Sequence, residues 1–100
     1  MAGKDLKVAV IEIQGHCPVY QVGDSFYLAR GYILDPSRSG RICLHSLASI
    51  LPCHVALSHG VAPAAIGLNR EDSPKAYLQC LDPCRYTNGG TVTFEVEIMP

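Results

Sequence analysis

Hydrophobic and polar residues alternate most regularly near the end of the sequence, where Val92, Phe94, Val96 and Ile98 interleave with Thr91, Thr93, Glu95 and Glu97. A period of two puts the first set on a buried face and the second in water, which predicts a strand over Gly90 to Ile98. The Asn88-Gly89-Gly90 turn feeds it. Its apolar face is expected to bury together against Leu47 and Leu51, leaving Thr93 and Glu95 exposed. Lys7 to Ile13 is rich in β-branched residues and apolar on both faces, which predicts a central strand. Ser25 to Leu34 reads as a second strand and Ala76 to Leu81 as a third, the second closed by the turn formers of Asp35 to Gly40.

Between the second and third strands the pattern changes. Ile42 to Asn69 runs for 28 residues without a Lys, Arg, Asp or Glu, and Leu44, Leu47, Leu51 and Val55 recur at helical spacing. His59-Gly60 supplies a stop, Pro52 should kink the axis by removing the bond to the Ala48 carbonyl, and Pro63 should open a short second helix. Asn69 to Lys75 reads as a charged loop. The order β-β-α-β-β predicts an α+β fold, a mostly antiparallel sheet with one kinked helical region on one face, forming a single domain over residues 1–100.

Composition adds partners and compartment. The chain is 48% hydrophobic and 17% charged, with a net charge of −1 and a mean hydropathy of +0.16. So little charge on so small a body favours self-association, most simply as a twofold dimer through the uncharged helical region. No two Lys or Arg residues are adjacent, which removes the electrostatic footprint of nucleic-acid binding. No stretch is long and apolar enough to span a membrane, and Met1 to Lys7 lacks the apolar run of a signal peptide, so a cytosolic location is expected.

Five cysteines bring in the candidate chemistry. Cys17 lies in the first connection, Cys43 near the helix start, Cys53 in mid-helix, and Cys80 and Cys84 flank Leu81-Asp82-Pro83. Cys53 is most simply a core residue, whereas the other four sit where strand ends and helix starts can gather. Cys17, Cys80 and Cys84 are the candidate metal ligands, for zinc or an iron–sulfur cluster, although the three-residue gap from Cys80 to Cys84 is wider than the usual knuckle. A small-molecule site over Cys17, Asp24, Cys43, His45, Cys80 and Asp82 is the broader reading. A nucleophilic cysteine at Cys17 or Cys80 is the enzymatic one, His16 being a poor base for its neighbour Cys17 because adjacent residues in extended chain point apart. Against all three stands the plain reading of separately buried thiols that pack as small hydrophobes.

The runs Gly15-His16-Cys17-Pro18, Val22-Gly23-Asp24, Ile42-Cys43-Leu44-His45 and Gln79-Cys80-Leu81-Asp82-Pro83, followed by the closing Val92-Thr93-Phe94-Glu95 strand, are spaced alike in another group of sequences. By these runs the chain resembles a family of small bacterial and archaeal proteins of about this length, defined by its sequence pattern. The resemblance implies a prokaryotic, anaerobe-associated, cytosolic protein and brings no catalytic residue with it.

Overall fold

A computed structural model describes residues 3–100. In chain order the elements are β1 (Leu6–Gly15), β2 (Ser25–Ala29), β3 (Ile33–Leu34), α1 (Leu44–Ile50), α2 (His54–Ser58), β4 (Asn69–Arg70), β5 (Ser73–Gln79), α3 (Cys84–Thr87) and β6 (Gly90–Ile98). The strands form one antiparallel sheet in the order β3-β2-β1-β6-β5-β4, and the helical region packs on one of its faces, an α+β fold.

Alternation along the sequence becomes alternation in space on the two central strands. Val92, Phe94 and Val96 of β6 are buried, as are Leu6, Val8 and Val10 of β1. A bulge at Ile11 then resets the pairing, so that Ile13 returns to the core side. Phe94 is the centre of this core, meeting the rings of Tyr20 and Phe26 edge-on at centroid distances of 5.7 and 6.3 Å. Thr93 and Glu95 are half-buried instead of exposed, because their cross-strand neighbours Gln79 and Tyr77 lie against them. Glu95 there accepts hydrogen bonds from Lys75 Nζ at 3.1 Å and the Tyr77 hydroxyl at 3.0 Å.

The helical region departs most from expectation. The helix breaks at Leu51–Cys53, where Pro52 interrupts the backbone ladder and a Cys53 N–H to Ile50 carbonyl bond closes the bend. Its buried face is Ser46, Ile50, Cys53 and Leu57, with Leu47 only partly covered. Leu51, expected against the sheet, is 63% exposed, and Leu44 and Val55 point outward with it. Val61-Ala62-Pro63 leads into a 3-10 turn, Pro63–Ile66, in place of a second α-helix.

Three further boundaries shift for local reasons. Ser25 to Leu34 is two strands, because Arg30 and Gly31 both take the left-handed conformation (φ 57° and 83°) and reverse the chain. Gly31 is required there twice over, since a Cβ on it would also stand 2.1 Å from that of Ser58. The loop expected over Asn69 to Lys75 instead closes a hairpin, β5 starting at Ser73 and ending at Gln79. Cys84–Thr87 forms a single helical turn, ended by Asn88 at φ 61°.

Phe94 makes the core's dependence measurable. Phe94→Ala should cost about 3–5 kcal/mol in denaturant unfolding, whereas Val22→Ala, at an exposed loop position, should stay within about 0.5 kcal/mol.

Candidate functional site

Three separate segments bring one thiol each to the same end of the sheet. The first is the connection after β1. Cys17-Pro18 turns sharply enough that the backbone N–H groups of Val19 and Tyr20 both donate to Cys17 Sγ, at 3.5 and 3.4 Å. Only a residue without a side chain lets this turn lie on the start of β6. A Cβ on buried Gly90 would stand 2.6 Å from the His16 carbonyl carbon and 2.7 Å from the Cys17 nitrogen. Tyr20 then drops its ring into the core against Phe94.

The second segment is the start of α1. Cys43 occupies the N-cap position without a capping side chain of its own. The Tyr20 hydroxyl serves instead: it accepts the Cys43 N–H at 2.9 Å and lies 2.7 Å from Ser46 Oγ, whose own proton goes to the Cys43 carbonyl at 2.6 Å. With the serine proton so placed, the tyrosine donates to Ser46 Oγ, and each group in the ring of bonds is satisfied. Burial pushes the Tyr20 hydroxyl above the usual phenol range despite the pull of its Ser46 and Cys43 partners, and the nearby Cys43 and Cys17 thiols add to the rise.

The third segment is the end of β5. Cys80 N–H donates to the Val92 carbonyl at 2.9 Å, and Val92 N–H returns to Cys80 Sγ at 3.3 Å. Asp82 follows in a turn tied to β6, its carbonyl accepting the Thr91 hydroxyl at 2.6 Å and its carboxylate accepting that of Thr87.

Between these segments lies a cavity of about 150 Å³, lined by Cys17, Cys43 and Cys80 with Tyr20, Val19 and Val92. His45, exposed on the first turn of α1, and half-buried Asp82 also line it. Five of the six residues proposed as a ligand site from sequence therefore meet around one space. Asp24 does not join them, because its carboxylate accepts the Gln21 N–H at 2.9 Å and closes the turn before β2.

The candidate metal set Cys17, Cys80 and Cys84 is not assembled. The turn of α3 carries Cys84 into a different hollow, beside Gln14, Arg85 and Tyr86, and Cys43 stands near Cys17 and Cys80 in its place. Among the described residues no three His, Cys, Asp or Glu side chains are grouped so as to hold a metal ion. All five thiols are free, and burial raises that of Cys53 above the usual thiol range. Tyr20 and Ser46 are the functional residues that sequence reading missed. The available signal was an aromatic residue three positions after Cys17, in a connection otherwise made of turn formers.

No family model matches the chain, and neither a curated protein nor a solved structure matches it.

The two raised groups fix an alkaline limit. Tyr20 and Cys53 hold their protons more tightly folded than unfolded, so their contribution is complete below the ordinary values of 10.0 and 9.0 and is lost as pH climbs through the higher folded values. Unfolding free energy should therefore fall as pH rises above about 9. Tyr20→Phe should reduce that slope while lowering stability by about 1–3 kcal/mol at neutral pH, where it leaves Ser46 and the Cys43 N–H without their partner. Urea titrations of both proteins across this range measure the two effects.

Proposed function

We propose that this chain is a small ligand-binding accessory module, acting in a reducing, cytosolic compartment where unpaired thiols persist. Its ligand is a small, largely apolar molecule with a polarizable edge, seated among the Cys17, Cys43 and Cys80 sulfurs. The observation that carries this reading is the common cavity: three thiols from three distant segments line one space of about 150 Å³. An apolar space of that size accepts a molecule as large as benzene. The space opens to solvent beside exposed His45, so a molecule of that size can enter it from outside.

Cys17 is the sulfur best placed for contact with an incoming molecule. It carries two backbone N–H donors, and it also borders a second, open hollow formed by His16, Pro18 and Gln21 on the outer side of the turn. This double access favours a secondary reading in which Cys17 reacts as a nucleophile. No histidine among the described residues is hydrogen-bonded to its sulfur, so a general base is lacking from the structure's bonds.

Titration with benzene or thiophene, followed by amide NMR, should move the signals of Cys17, Tyr20, Cys43, Cys80 and Val92 together and leave those of β3 and β4 in place. Val92→Phe, which fills the cavity from β6, should abolish the effect in a protein that still folds. Shifts scattered over the surface, or unaffected by Val92→Phe, would sink the reading. So would stoichiometric zinc or iron in protein purified without oxygen, which would return the thiols to metal chemistry.

A further inference from the structure

The uncharged helical region carries two apolar stripes, and the monomer uses one. Ile50, Cys53 and Leu57 face the sheet, whereas Leu44, Leu51 and Val55 are 77%, 63% and 53% exposed on the opposite side. The turn after β2 adds Tyr32, 62% exposed, and β3 adds Leu34, which pairs with Leu28 and so lies on the helical side of the sheet. Between these two groups runs a hollow of about 180 Å³ lined by Tyr32, Leu34, Leu47, Leu51 and His54.

We infer that this face is a twofold docking surface whose occupant is a second copy of the chain. A patch that holds both protruding aliphatic side chains and a hollow to receive them can complement itself across a twofold axis, as an isologous interface requires. Charge points to the same partner. From Ile42 to Asn69 there is no Lys, Arg, Asp or Glu, so two copies meet without repulsion, while a lipid surface or an acidic or basic protein would find no counter-charge on the helices.

Area supports it too. Apolar residues exposed by about half each offer on the order of 100 Å². Five of them, with partly covered Leu47 in the hollow between, make a patch in the upper part of the roughly 300–600 Å² range in which the largest surface patch is often functional. The chain's accessible surface is 6084 Å², against roughly 5,500 Å² expected for a monomer of this mass. Pairing would cover the excess. The hollow and the thiol cavity both use α1, but no residue lines both.

Sedimentation equilibrium of the full chain, run from low to high micromolar concentration, should return twice the 10.8 kDa chain mass. Leu51→Glu and Tyr32→Glu each place a charge at an exposed position outside the buried core, so both should fold and both should weaken the dimer by roughly 100-fold or more. Val22→Glu, in the loop before β2, should leave the mass unchanged. Circular dichroism checks that each variant folds, and if one does not, the other and the wild-type mass decide. A wild-type protein that stays at 10.8 kDa throughout overturns the inference, as does a folded variant at either position that remains a full dimer. A monomeric wild type that binds phosphatidylcholine vesicles would also overturn it and assign the face to lipid.

Discussion

The arrangement of this protein depends on how one tyrosine is anchored. Tyr20 leaves a surface turn, wedges its ring edge-on against Phe94 in the middle of the sheet, and offers its hydroxyl to the first turn of α1. One side chain thereby joins loop, core and helix. The bonds among Tyr20, Cys43 and Ser46 close on themselves, which matters because a partly satisfied buried polar group costs more than it contributes. They also fix the rotation of α1 about its axis. With Ser46 held inward, Ile50, Cys53 and Leu57 follow it to the sheet, and Leu44, Leu51 and Val55 are sent outward.

Much of the fold was legible in local pattern. The buried positions Val92, Phe94 and Val96 of β6 fall where the alternation puts them, with Ile98 only partly buried; β1 is central, and the break at Pro52 falls where a missing N–H demands it. The helix face was not legible. Leu44, Leu47, Leu51 and Val55 form the stronger apolar stripe, yet the buried stripe includes a serine and a cysteine. No periodicity argument could weigh a hydrogen bond between positions 20 and 46. Cys84 misled for a related reason, since a single turn of helix after Pro83 is too short to leave a periodic signal but long enough to swing a side chain away. The convergence of Cys17, Cys43 and Cys80 could be suspected from their positions at element ends. That it is Cys43 that joins the other two follows from the Tyr20 hydroxyl holding its backbone.

The two faces of the helical region divide labour in a chain with few charges. Inward, the helices cover the sheet with Ile50 and Leu57 beside the smaller Ser46 and Cys53, and leave a thiol-lined gap near Cys43. Outward, they carry further aliphatic side chains, Leu44, Leu51 and Val55, that the sheet does not use. In a chain of 100 residues the proportion of surface is high, and apolar side chains that find no place inside must stand on it. The sheet's other face takes the opposite course: Lys75, Tyr77 and Glu95 bond to one another across β5 and β6, so it meets water as a hydrogen-bonded polar layer.

The two central strands are also nearly the most distant in sequence, Leu6 pairing with Ile98. On a ribosome this means that β1 is made early and waits for β6. At about 5–20 residues per second, the delay is roughly 5–20 s. The nascent chain can meanwhile pair β1 with β2 on one side only, leaving Val8 and Val10 beside an open strand edge that invites other chains. Phe94 then arrives with β6 to close the core almost in a single step. Closure of the core accordingly waits for β6, and crowding around translating ribosomes bears on the yield of this protein more than on one whose neighbouring strands are also neighbours in sequence.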